Sequence, residues 1–198
     1  MLPPLDQFQA NIRQVQSLVS LAAVLDSQTT AVVDVGDIYR ASIVLTISAL
    51  DHYVHEKTLA SMLEISEGLR PPTDAFGRFQ VGLAILGPTL TAPPSGWLES
   101  EIRRAHGVLT FQRAEAIADA MRLIHPEPLW IALAPRFGFS AKDAKDTLNL
   151  LVDRRNKIAH EADCEPNGLG IKWPITSDMV NETIVYVIKV VGAIEATV

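Results

Sequence analysis

Leu148-Asn149-Leu150-Leu151-Val152-Asp153-Arg154-Arg155-Asn156-Lys157-Ile158-Ala159-His160-Glu161 is the stretch on which the fold turns. Ala144, Leu148, Leu151, Ile158 and Ala162 recur at helical spacing, which predicts an amphipathic helix. The missing member of that stripe falls on Arg155, so a cation stands where a leucine is expected. At about 100° per residue, Asn149, Asp153, Asn156, His160 and Asp163 form a polar ridge beside it. Asn156 and His160, four apart, are stacked neighbours on that ridge. Arg155 and His160 flank it at an angle suited to gripping one small group, with Arg154 and Lys157 adding positive charge just outside.

Working outward, Ser140 with Asp143 three positions on reads as a capping pair that opens this helix, which continues to about Asp163. The turn-prone Glu165-Pro166-Asn167-Gly168 follows, then a short extended piece, Ile171-Lys172-Trp173-Pro174-Ile175. Ser177 and Asp178 announce a last helix with the stripe Val180, Ile184, Val187, Val191, Ile194 and Val198. Toward the N-terminus, Leu5, Phe8, Ile12, Val15, Val19 and Ala22 mark a first helix that ends near Asp26-Ser27-Gln28. A second, long and largely apolar, begins around Asp34 to Asp37 and runs toward Glu64, with Pro71-Pro72 preventing its continuation.

Between Thr73 and Gly96 the sequence accommodates one short helix, starting at Asp74, and a loop through Gly87-Pro88 and Pro93-Pro94. Ser95 then caps a helix from Trp97 to Ile124, weakened in the middle by Gly107. Leu123 to Gly138 is expected to be irregular, anchored by Leu129, Trp130, Ile131 and Leu133. There is no internal repeat and no two-residue alternation outside the Trp173 segment, so the chain reads as all-α.

With 198 residues, 48% hydrophobic and 20% charged, one core and a single domain over 1–198 are expected. A net charge of -6 argues against a protein that coats nucleic acid non-specifically, although a local basic patch is compatible with it. One cysteine, Cys164, excludes an internal disulfide and points to a reducing, cytoplasmic setting. The N-terminus has no charged region followed by an apolar run, so no secretory signal is expected. The most apolar stretch, Ile184 to Ile194, is shorter than the roughly 20 residues of a membrane span and contains Lys189.

Two accounts of Arg155 stand side by side. In one it pairs with a carboxylate on the second helix, Asp51 or Glu56, while Asn156 and His160 are simply solvated. In the other it is a phosphate-binding cation. Elsewhere, His52-x-x-His55-Glu56 departs from the spacing of a hydrolytic zinc helix and is read as a polar interface, so no metal or cofactor is expected. Arg103, Arg104 and Arg113 form a second basic spot, read as a solvated helix face. Gly77-x-x-x-x-Gly82 lacks the Lys-Ser/Thr ending of a phosphate loop, and no Gly-x-Ser-x-Gly elbow occurs.

Arg155-Asn156-Lys157-Ile158-Ala159-His160, preceded by the helix Arg40-Ala41-Ser42-Ile43-Val44-Leu45-Thr46-Ile47-Ser48-Ala49-Leu50-Asp51-His52-Tyr53, resembles HEPN domains (higher eukaryotes and prokaryotes nucleotide-binding). The Glu161-Ala162-Asp163 exit and the last apolar helix also fit, and the RiboL-PSP-HEPN group is the most similar. Residues 65–139 contribute little to the likeness and read as an additional helical or loop insertion in the middle of the chain.

The resemblance implies an antiparallel helical bundle that dimerises so that two motifs face a shared cleft, often as a metal-independent endoribonuclease. On that likeness Arg155, Asn156 and His160 are the catalytic residues, Arg154 and Lys157 attract the RNA backbone, and Asp51 assists or restrains the motif arginine. The expected partners are RNA, a second copy of the chain and an antitoxin or defence-system protein. The alternative is a non-catalytic HEPN-like module that binds RNA, a nucleotide or a protein in the same cleft.

Overall fold

The computed structural model describes residues 2–29, 33–82, 95–138, 140–167 and 170–198. Among them lie α1 (Pro4–Gln28), α2 (Gly36–Ser66), α3 (Asp74–Gly77), α4 (Trp97–His106), α5 (Ala114–Arg122), α6 (Leu129–Phe137), α7 (Ala141–Glu161) and α8 (Ser177–Glu195). The described residues form no strand, only an isolated antiparallel bridge between Cys164 and Lys172. The fold is an all-α bundle, as the apolar periodicity predicts.

α1 starts with proline in its first turn and buries Phe8, Ile12, Val15, Val19 and Ala22, the predicted stripe. α2 is 31 residues long and touches α1, α4, α5, α7 and α8, which makes it the axis of the core. Its apolar side chains lie all round the helix because neighbours cover it on most sides. No described helix is long and apolar enough to cross a membrane.

The middle of the chain departs from expectation. The single helix predicted from Trp97 to Ile124 is two, α4 and α5, joined by a connector at 107–113. The break is held by long-range bonds: Asp51 on α2 accepts the Phe111 N–H at 2.6 Å and the Gln112 side-chain amide at 2.8 Å. The first of these satisfies a backbone N–H that a continuous helix would have paired internally. Ser95 caps nothing; the residue before α4 is Gly96 at φ 73°.

Leu123 to Gly138 is not irregular throughout, since it contains α6 with Pro135 inside it. That helix buries Leu129, Trp130, Leu133 and Phe137, and the Trp130 indole N–H donates to the Ala114 carbonyl at 2.8 Å. This packing outweighs one lost helix bond. Ile131, expected as an anchor, faces solvent. α8 is capped by Thr176, one residue earlier than predicted, whose hydroxyl accepts the Met179 N–H. The short helix predicted to start at Asp74 is α3, whereas the loop with Gly87-Pro88 and Pro93-Pro94, and Gly168 of the predicted turn, lie outside the described residues.

The connector packs on α2 through rings. Phe111 sits 4.4 Å from His55 and 5.3 Å from His106, centre to centre. His106 is buried and its Nδ1 has no partner among the described residues. Burial holds its pKa below the ordinary 6.5, with a smaller contribution from nearby His55. His55 in turn lies 3.5 Å from Asp51. The unfolded chain therefore binds a proton at His106 that the folded chain refuses, and stability rises with pH between the depressed value and 6.5. The melting temperature is expected to fall as pH drops through 6.5 toward that depressed value, and His106→Phe is expected to flatten the fall in a thermal-shift series.

Candidate functional site

α7 opens as predicted, with the Ser140 hydroxyl accepting the Asp143 N–H at 3.1 Å. Ala144, Leu148 and Val152 are buried, and Leu151, Arg155 and Ile158 are half-buried. The stripe drifts across the helix because seven residues fall about 20° short of two full turns. Arg155 thus follows Leu148 on the inward side, as its place in the sequence stripe implies.

The helix ends abruptly, with Ala162 at φ 53° and Asp163 at φ 58°, two consecutive non-glycine residues in the left-handed region. The turn delivers the Asp163 side chain, predicted on the polar ridge, into the interior at 0% exposure. There Arg40 Nε donates to its Oδ2 at 2.8 Å and Arg154 Nη2 to the same oxygen at 2.9 Å, while Arg154 Nη1 stands 2.9 Å from Oδ1. The two guanidinium groups also hold the following segment, Arg40 through the Trp173 carbonyl at 2.8 Å and Arg154 through the Pro174 carbonyl at 3.1 Å. The Trp173 N–H returns to the Asp163 carbonyl at 2.8 Å. Gly36 makes room, since a Cβ there would lie 2.7 Å from Arg40 Nη1.

Arg154, read from the sequence as attracting an RNA backbone, is held here by Asp163 and by the Pro174 carbonyl. Arg40 belongs to the same cluster, and the sequence does not single it out. Its signal was of the same kind as that of Arg155, a cation inside the apolar run from Ile38 to Ile47, and nothing local tied it to an aspartate 123 positions away.

Arg155 is paired with neither Asp51 nor Glu56. Asp51 holds the connector, and Glu56 takes Arg103 at 2.9 Å, so both carboxylates expected for a bland ion pair are occupied elsewhere. Asp51 consequently makes no bond to the motif arginine. Arg155 Nη1 instead donates to Asn156 Oδ1 at 3.0 Å, and its buried Nε has no partner among the described residues. His160 is exposed and makes no hydrogen bond or ion pair with the described residues. Lys157 is exposed, with its Nζ 5.6 Å from the centre of the Trp173 ring.

The polar ridge divides into two halves. Its first half is covered: Asn149 accepts the Ala114 N–H at 3.0 Å, and Asp153 pairs with Arg113. In its second half Asn156 is half-buried and its side chain bonded, among the described residues, only to Arg155, and His160 is exposed. Because the Arg155 guanidinium leans to Asn156, and Asn156 lies one turn before His160, donor, amide and imidazole lie along one side of the last two turns. The second basic spot is neutralised, with Arg103 on Glu56 and Glu99, Arg104 on Glu101 and Arg113 on Asp153. Among the described residues, no three His, Cys, Asp or Glu side chains converge as a metal site.

Among the described residues, the half-buried Arg155 and Asn156 and the exposed His160 and Lys157 thus share the last two turns of α7. Comparison with known proteins matched the chain to no family model, no curated protein and no solved structure.

Proposed function

We propose that the protein is a metal-independent endoribonuclease of the HEPN type, cleaving RNA at a cleft shared by two copies of the chain in a toxin, antiphage or RNA-processing setting. The observation that carries this reading is the open end of α7. Arg155, Asn156 and His160 keep hydrogen-bonding capacity in hand while Arg154, Arg103, Arg104 and Arg113 are ion-paired.

In this chemistry the neutral His160 imidazole takes the proton of an RNA 2′-hydroxyl as its oxygen bonds to the adjacent phosphorus. Arg155 donates to the phosphoryl oxygens on which charge builds, and Asn156 holds the guanidinium toward the phosphate. The bond from phosphorus to the 5′-oxygen breaks, and the histidine of the second copy gives that oxygen a proton. The products are a 2′,3′-cyclic phosphate and a 5′-hydroxyl. Lys157 attracts the backbone without reading sequence.

A second reading, a non-catalytic RNA-binding or interaction module in a defence system, is favoured by the net charge of -6. Purified protein incubated with total RNA in EDTA separates the two. The expected result is cleavage by the wild type and its loss in His160→Ala and Arg155→Ala. Cleavage that survives both substitutions sinks the site, and RNA binding without cleavage supports the module. The shared cleft has its own test, since a monomer by sedimentation at micromolar concentration removes it.

A further inference from the structure

An open cleft of about 640 Å³ lies between the starts of α2 and α8, lined by Asp26, Asp34, Arg40, Lys172 and Trp173 among others. Its size is that of a small-molecule site, for which about 300–1,000 Å³ is usual. We infer that this cleft is a nucleobase subsite, in which one unpaired base of a single-stranded RNA stacks on Trp173 next to the strand held at Arg155 and His160. The inference rests on the ribonuclease or RNA-binding reading above.

Three observations support it. The Trp173 backbone is held on both sides by the buried clamp, its N–H donating to the Asp163 carbonyl and its carbonyl accepting from Arg40. Its ring is half-buried, leaving part of the aromatic surface to solvent, and stacking on such a ring is tolerant of base identity because every base has a π face. The same ring lines the cleft and lies 5.6 Å from Nζ of Lys157, a residue of the motif helix, which joins the cleft to the helix that carries Arg155 and His160.

The lining also selects the chemistry. Asp34 accepts the Gly36 N–H at 2.8 Å through one oxygen, and Asp26 has no partner among the described residues. Two carboxylates repel a free phosphate but accept hydrogen bonds from the amino and imino groups of a base or from a ribose hydroxyl. Arg40 is satisfied inside the clamp, and Lys172 pairs with Asp37 at 2.6 Å at the rim. The cleft is thus an aromatic platform with acceptors rather than an anion hole.

Binding of single-stranded oligoadenylate and oligouridylate eight-mers, and of an abasic strand of equal length, to the full chain in EDTA tests this. Tryptophan fluorescence and anisotropy serve as readouts, with His160→Ala as background to prevent turnover. Quenching by the base-bearing strands is expected, with Trp173→Leu weakening them about tenfold and abolishing the quench. Trp173→Phe is expected to bind nearly as the parent does, and the abasic strand to bind all three equally. Circular dichroism checks that the variants stay folded, and Trp173→Phe keeps an aromatic test if Trp173→Leu does not. Unchanged affinity and quenching in Trp173→Leu overturn the subsite while leaving the RNA reading standing. A parent protein that binds none of the strands overturns both.

Discussion

His160→Ala is expected to lower RNA cleavage by about 10²- to 10⁴-fold, the range that loss of a positioned acid or base costs. The fold should not change, because the side chain is exposed and makes no bond within the described chain. Arg155 should behave differently. Arg155→Ala is expected to cost about 10²- to 10³-fold through lost charge stabilisation. Arg155→Lys should recover only part of that loss, since an ammonium keeps the charge but not two parallel donors. Cleavage rates on one defined RNA, measured beside melting temperatures, separate these effects. A His160→Ala protein within about tenfold of wild type would remove the imidazole from the chemistry.

Asp163→Asn is expected to be the most destabilising single exchange at the site. Asparagine tolerates the left-handed backbone at φ 58°, so the exchange removes charge while leaving the turn acceptable. What remains is Arg40, with 10% of its side chain exposed, and Arg154, with 19%, facing one another without their shared anion. Breaking a buried pair by removing one partner costs about 3–5 kcal/mol, since the uncompensated charge stays buried. Urea denaturation with circular dichroism measures it, and a loss below about 1 kcal/mol would mean that the cluster is solvated enough to behave as a surface pair. Residual cleavage per folded molecule should also fall, because the turn ends the helix that carries His160 two residues upstream of Ala162.

These two experiments touch residues of unequal legibility. The motif helix was readable from periodicity, because Ala144 and Leu148 face the core and Ser140 sits where a cap must. α1, α2 and α8 were readable for the same local reason, a sustained stripe with stop signals at its ends. The split between α4 and α5 was not, since Gly107 only weakens a helix and the bonds that break it come from Asp51, 60 positions earlier. Nor was the division of labour between Arg154 and Arg155. They are adjacent cations, and only the turn at Ala162 and Asp163 shows which guanidinium is committed inside. Asp51 illustrates the converse: the resemblance assigned it to the motif arginine, and the fold spends both its oxygens on the connector.

On the proposed function, Arg155, Asn156 and His160 cleave RNA by attack of its own 2′-hydroxyl. Mapping the ends of fragments that the wild-type protein releases from a defined RNA in EDTA tests it most directly. The expected ends are 2′,3′-cyclic phosphate and 5′-hydroxyl, absent with His160→Ala. Fragments ending in 3′-hydroxyl and 5′-phosphate would contradict it, because a water nucleophile rather than the 2′-hydroxyl would then have attacked the phosphorus.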